Sequence, residues 1–184
     1  MHKVITFGIP SYNAAKDMDH CITSILEGSN YATDIEIIVV DDGSKDETAA
    51  KADEWEARYP GIIRAVHQEN GGHGIAVLSG LREAQGTYYK VVDSDDWLDG
   101  AALSTMLSIL RGFEERDQRV DLFISNYVYE KVYEGTHTAI GYKFALPRKK
   151  IFSWDQIGHF RLDQNLLMHL SLIHISEPTR PERI

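Results

Sequence analysis

Short apolar runs alternate along this chain with segments whose apolar residues recur every three or four positions. Val4–Ile9 is an apolar run ending at Pro10, which reads as a buried strand followed by a loop. Met18, Cys21, Ile22, Ile25 and Leu26 then recur at helical spacing and predict an amphipathic helix that stops near Gly28. Glu36–Val40 reads as a second strand, of the continuous apolar kind that is covered on both faces. Ser44 and Glu47 stand three apart, a capping-box pattern, and predict a helix running to Tyr59, ahead of Pro60-Gly61. Ile62–Val66 predicts a third strand. Ile75, Leu78, Leu81 and Arg82 predict a helix after a Gly-rich loop, and Tyr88–Val92 a fourth strand. Leu103, Met106, Leu107 and Leu110 mark a helix after Asp99-Gly100.

Alternation of this kind predicts an α/β sandwich around a mainly parallel sheet, with its chemistry at the C-terminal ends of the strands. From Asp121 the pattern changes. Tyr127, Tyr129, Lys131 and Tyr133 alternate with Val128, Glu130 and Val132, and Glu134-Gly135 offers a turn, so a hairpin is expected. Its tyrosines read as a half-buried sheet face rather than as a platform for sugar. Leu170–Arg180, LSLIHISEPTR, looks like the conceptual translation of a sequencing-library adapter. The expectation is a domain over 1–169 and a non-native tail over 170–184, which is left out of functional reasoning.

Composition narrows the class. The 184 residues are 43% hydrophobic and 26% charged, an ordinary globular balance sufficient for one core. No apolar run approaches the roughly 20 residues of a membrane span, and the N-terminus lacks a signal-peptide pattern. The single cysteine, Cys21, excludes an internal disulfide framework and fits a reducing cytosol. A cytoplasmic location is expected, with peripheral association at the inner face of the membrane left open. The net charge of -9 argues against nucleic acid as a partner. A phosphorylated ligand would need local help, from backbone N–H groups or from a cation.

The candidate chemistry follows the predicted strands. Pro10-Ser11-Tyr12-Asn13 follows the first, Asp41-Asp42-Gly43-Ser44 the second, Glu69-Asn70-Gly71-Gly72-His73-Gly74 the third and Asp93-Ser94-Asp95-Asp96 the fourth. In a parallel sheet all four would crowd one edge. Two acidic clusters there repel each other, and each needs a stabilising partner. In an extended segment Asp93 and Asp95 would face the same way, their Cα atoms roughly 6.5 Å apart, and a turn would let Asp96 join them. Hard oxygen ligands of this type suit Mg²⁺ or Mn²⁺, shared with substrate phosphates. Ordinary turn and cap chemistry is the competing reading of the acidic residues. Ser44 as N-cap and Gly43 as a turn residue leave the Asp41-Asp42 pair unexplained; a carboxylate there would accept the imide N–H of uracil or a ribose hydroxyl. The Gly-rich loop lacks the Lys-Ser/Thr of a Walker motif. His73 reads either as a contact to phosphate or sugar or as a structural or solvated loop residue, and Lys143, Arg148, Lys149 and Lys150 form a small basic run, either a solvated loop or a help to a phosphate-bearing acceptor.

In order and spacing, IPSYN, VVDDGSKDET and QENGGHGIAVLSGLREAQGTYYKVVDSDDWL resemble the family 2 glycosyltransferases over residues 3 to about 110. The resemblance implies a GT-A fold, with a nucleotide-sugar-binding half over 1–110 and part of an acceptor-side half over 111–169. It implies a nucleotide pocket lined by Pro10, Tyr12, Asn13, Asp41, Asp42, Gly72, Asp93 and Ser94. Asp93, Asp95 and Asp96 would serve as metal ligands in a DXD motif. The implied activity is inverting transfer of a hexose or N-acetylhexosamine from a UDP-sugar to a saccharide, cell-surface polymer or lipid-linked acceptor. The family's catalytic base lies downstream of the DXD region. No convincing candidate precedes Met168, because Asp163 sits in a helix-like stretch, and the expectation is a fragment that binds donor without transferring it. A noncatalytic nucleotide-sugar sensor shares every one of these features. A nicotinamide-dependent Rossmann oxidoreductase is disfavoured by Pro10–Asn13 standing where G-x-G-x-x-G belongs. A nucleotidyltransferase is disfavoured by the absence of a basic Gly-rich N-terminal loop.

Overall fold

A computed structural model of the chain describes residues 2–29, 33–131, 135–141, 146, 150–156 and 172–174. The chain divides into two compact units, Met1–Arg119 with Leu172–Ile184, and Val120–Ser171. The first is built from β1 (Lys3–Ser11), α1 (Met18–Glu27), β2 (Ile35–Asp41), α2 (Thr48–Arg58), β3 (Ile63–His67), α3 (His73–Glu83), β4 (Gly86–Val91) and α4 (Gly100–Glu115). The second holds the short strand β5 (Leu122–Phe123), the antiparallel hairpin of β6 (Tyr127–Lys131) and β7 (Thr136–Ile140), and a 3-10 turn at Trp154–Gln156. Gly135, at φ +61, turns the hairpin as the sequence pattern anticipates. Of its tyrosines, Tyr127 is half-buried and Tyr129 is exposed. Val132, Tyr133, Glu134, Lys143, Arg148, Lys149 and Asp163 lie outside the described residues.

In the first unit the strands run in the order β3-β2-β1-β4, all parallel. Successive connections step outward from β1 to β2 to β3, and the chain then returns past β1 to lay down β4. The strand order therefore reverses between β1 and β4, the place where open parallel sheets bind ligands. Every residue of β1 and β2 is buried, which requires helices on both faces. The side chains of β2 alternate accordingly. Ile38 and Val40 pack with Ala76 of α3, while Ile35, Ile37 and Val39 fill the opposite face.

Several boundaries differ from the sequence reading. Strand β1 runs through Pro10 to Ser11. Gly8 and Pro10 turn their backbone toward β4, and β4 ends its pairing where the Val92 N–H meets the Gly8 carbonyl. The N–H that proline lacks would have had no strand to bond. The capping box does not form. Glu47 occupies the N-cap of α2 without a side-chain bond, and Asp46 caps the helix by accepting from the Thr48 N–H at 3.0 Å. Helix α3 buries Ala76 and Gly80, not the bulkier Ile75, which is exposed. The reason is a close approach: Tyr89 of β4 lies across Gly8 and beneath Gly80, its hydroxyl donating to the Val77 carbonyl at 3.1 Å. A Cβ on Gly8 would stand 1.9 Å from that hydroxyl. Gly8→Ala is therefore expected to cost about 2 kcal/mol, as overpacking in a rigid core does, measurable by urea denaturation. Finally, Leu172–His174 forms β8, antiparallel to Tyr88-Tyr89 of β4. The open edge of β4 offers unpaired backbone groups that any short alternating segment can fill.

Candidate functional site

Register brings the polar clusters to one rim. Ser11, Asp41 and His67 lie in one row across β1, β2 and β3. The ladder continues one step further through Asp42 N–H to Ser11 O at 2.9 Å and Gln68 N–H to Asp41 O at 3.1 Å. Asp93 follows β4 at the same end of the sheet. Asp41/Asp42 and Asp93–Asp96 thus share the C-terminal edge.

Asp41 and Asp42 are both buried, and the period of an extended chain sends them to opposite faces. Asp41 turns toward the α2 side, where one oxygen accepts from the Ser44 N–H at 3.0 Å and the other lies 3.3 Å from His67 Nδ1. Asp42 turns toward α3 and gathers the Gly-rich loop. Its Oδ1 accepts from Gln68 Nε2 at 2.6 Å and from the Gly71 N–H at 2.8 Å, and its Oδ2 from the Gly72 N–H at 2.8 Å. Burial alone would raise its pKa, but these three donors outweigh burial and hold the carboxyl below its ordinary value. The carboxylate pair that turn chemistry left unexplained is one residue working on each face. Asp42 remains ionised, with acceptor capacity left on Oδ2.

Gly72 is the N-cap of α3 at φ +86, a backbone conformation suited to glycine, and nothing stands within 4 Å of where its side chain would be. The next residue, His73, places Nε2 3.8 Å from Asp93 Oδ1. The loop held by Asp42 therefore reaches the acidic turn directly. Pro10 is buried in β1, while Tyr12, just beyond its end, is 48% exposed. Asn13 adopts φ +53, donates its N–H to Ser44 Oγ at 3.0 Å and accepts from the Lys45 N–H at 2.8 Å. Its side chain pins the β1 and β2 loops together.

Asp93–Asp96 departs from the extended geometry expected of it. The Asp96 N–H bonds to the Asp93 carbonyl at 2.9 Å, closing a turn with Ser94 and Asp95 at its centre. The three carboxylates are exposed, and their field reaches two neighbours, the buried Cys21 and the half-buried Lys90. Beneath the turn, the Cys21 thiol lies 3.7 Å from the Asp93 carbonyl; burial first, then Asp96, Asp95 and Asp93, pushes it up to about 12. Burial lowers the pKa of Lys90, and Asp96 and Asp93 oppose that shift. Among the described residues no three His, Cys, Asp or Glu side chains are already gathered as a metal cage. Exposed carboxylates on a turn fit instead a cation that keeps waters and substrate oxygens among its ligands, as Mg²⁺ does.

His67 and Asp53 also meet at the rim, and Gln68 joins Asp42, though apolar spacing singles out none of the three. The apolar run predicts an end to β3 at Val66, and the strand's last residue is His67. A histidine-glutamine pair directly before the Gly-rich loop was the available signal.

Residues 6–170 match the family model described as Glycosyl transferase family 2. The chain belongs to glycosyl transferase family 2. It is 30% identical over 160 residues to the chondroitin synthase of Escherichia coli, covering 86% of this chain and 22% of that relative. Its fold is GT-A, as in the glycosyltransferases it superposes on. Residues 1–349 of TarS from S. aureus, in complex with UDP-GlcNAc, match with a TM-score of 0.53 and 25% identity over 60% of this chain and 32% of that one. The mannosyltransferase PcManGT from Pyrobaculum calidifontis, in complex with GDP-Man and Mn²⁺, matches with a TM-score of 0.52 and 24% identity over 61% of this chain and 33% of that one. The family 2 domain thus spans well under half the length of these relatives. No helix among its described residues is long and apolar enough to cross a membrane.

Proposed function

We propose that the rim binds a UDP-sugar together with Mg²⁺ or Mn²⁺. In the protein as a whole, a hexose or N-acetylhexosamine then passes to a saccharide, cell-surface polymer or lipid-linked acceptor with inversion at the anomeric carbon. The observation that carries this reading is the unbroken link from Asp42 through Gly71 and Gly72 to His73 and Asp93, which joins three polar clusters at the strand switch point. On this reading Pro10, Tyr12 and Asn13 wall the nucleoside, with the exposed Tyr12 ring offering a face to the base. Asp42, kept ionised, accepts from the uracil imide or a ribose hydroxyl, and Asp41 supports it from the other face. Gly72 allows the backbone to approach the ligand, and Ser94 offers a hydroxyl to the ribose or diphosphate. Asp93, Asp95 and Asp96 would hold the cation, whose contribution when bound is to neutralise charge on the departing diphosphate. The UDP-GlcNAc described with TarS, and the GDP-Man and Mn²⁺ described with PcManGT, support a nucleotide-sugar donor and a divalent cation. The lone buried Cys21 is in keeping with a reducing, cytoplasmic location. No residue is assigned as the base, and for the 184-residue chain the expectation is binding without turnover.

Calorimetric titration with UDP-GlcNAc tests the reading. Binding in Mn²⁺ is expected, on the order of tenfold or more weaker after chelation by EDTA. No binding in either buffer overturns it. Release of UDP in the presence of saccharide acceptors would show that a base lies within this chain.

A further inference from the structure

On β3, alternation places His67 with Ile63 and Ala65 on the side of α2. Its Nδ1 stands 3.3 Å from Asp41 Oδ2 and its Nε2 3.0 Å from Asp53 Oδ1 of α2. The two partners differ in kind: the Asp41 side chain is buried and the Asp53 side chain is exposed. A neutral imidazole carries one N–H and can serve only one carboxylate; the imidazolium serves both. Beyond Asp41 the contacts continue to the Ser44 N–H, and Ser44 Oγ accepts from the N–H of Asn13, the neighbour of Tyr12. A proton on β3 is thereby linked through hydrogen bonds to the loop at the end of β1.

We propose that His67, as the imidazolium, is a positioning residue of the nucleotide rim: it fixes Asp41 against α2, and with it the Ser44–Asn13 contact that presents Tyr12. This rests on the reading of the rim as a UDP-sugar site. The charged groups facing His67 are Asp53 from α2 and Asp41 from β2. Glu56 of α2 is engaged with the Ala65 N–H, and Arg64, on the other side of β3, is engaged with Glu36 and Glu83. The Asp53 bond, opposed by burial and reinforced by the Asp41 bond, raises the pKa of His67 above its ordinary 6.5. A raised value fixes the sign. The bridge is complete below 6.5 and is lost as pH rises through the folded value. Affinity should therefore fall toward alkaline pH.

The test measures UDP-GlcNAc affinity in Mg²⁺ between about pH 5.5 and 8.5; the diphosphate of this probe, esterified at both ends, does not change charge in that range. For the unaltered chain, affinity is expected to fall about threefold to tenfold as pH rises. His67→Gln, which cannot titrate, is expected to bind more weakly and without that slope. Asp53→Asn is expected to lower the His67 pKa, read from imidazole NMR shifts, and to move the midpoint of the binding profile by the same amount. A slope that survives in His67→Gln overturns the proposal, as does an Asp53→Asn variant whose NMR midpoint moves while its binding midpoint stays. Binding that is present but flat with pH overturns the proposal alone, leaving the rim reading intact. Absence of binding at every pH overturns both.

Discussion

Replacing Asp93 and Asp95 together by asparagine is expected to remove the Mn²⁺-dependent part of UDP-GlcNAc binding, a loss on the order of tenfold or more in affinity, equal to that caused by chelation. The turn itself should survive, because it is closed by main-chain atoms, the Asp96 N–H and the Asp93 carbonyl. The Cys21 thiol likewise meets the Asp93 carbonyl and not its side chain. Both substituted side chains are exposed, so little packing changes and the melting temperature should move by no more than a degree or two. Asparagine keeps the shape and one carbonyl oxygen while deleting the charge that attracts a hard cation. Calorimetry in Mn²⁺ and in EDTA separates the two contributions. Should the double variant retain the full Mn²⁺ dependence, the cation site lies elsewhere. Should it bind neither way and melt early, the turn is structural.

The second large effect lies at the opposite end of the sheet. Glu36 is buried on β2, where its Oε2 accepts from Thr6 Oγ1 at 2.7 Å and from the Gln85 N–H at 2.9 Å, and its Oε1 lies 3.3 Å from Arg64 NH2. Thr6 Oγ1 in turn accepts from the Gly86 N–H at 2.9 Å. One carboxylate thus ties β1, β2, β3 and the start of β4. Glu36→Ala leaves Arg64 without its buried partner and the Gln85 N–H without an acceptor. The expected cost is about 3 kcal/mol, reduced from the fully buried case because the Arg64 side chain is partly exposed. In a domain of this size that is a fall of roughly 6–12 °C in Tm. Glu36→Gln should lose less, since it keeps an acceptor. Adding Arg64→Met to Glu36→Ala should recover part of the loss by removing the charge left with only the exposed Glu83 as its partner. A Glu36→Ala variant as stable as the parent would mean that water serves these groups, and the network would count for little.

Apolar spacing predicts α1, α3 and α4, and short apolar runs predict the four parallel strands, because both report which side of an element meets the core; α2 is predicted only from a capping-box pattern that does not form. The five buried residues of α1 and the four of α4 are those the pattern named. It failed where one contact overrode local preference. Pro10 did not end β1, since its missing N–H faces a position that β4 has already vacated. Ser44 did not cap α2, since its hydroxyl is engaged by the Asn13 N–H across the rim. On α3 the bulky apolar residues mark the periodicity, whereas the buried residues are Ala76, packed on Ile38 and Val40, and Gly80, over which Tyr89 leaves no room for a side chain.

The candidate site divides the same way. That acidic and glycine-rich clusters follow successive strands is written in the chain, and a parallel sheet then must bring them to one edge. Which carboxylate does what is not written there. Asp41 and Asp42 are chemically identical neighbours, and only the pleat sends one to His67 and the other to the Gly71 and Gly72 amides. The sequence determined the order of the elements and the side chains available at the rim, because both follow from local spacing. Tertiary structure decided how those groups pair, because hydrogen bonds and burial depend on residues that meet only once the sheet has formed.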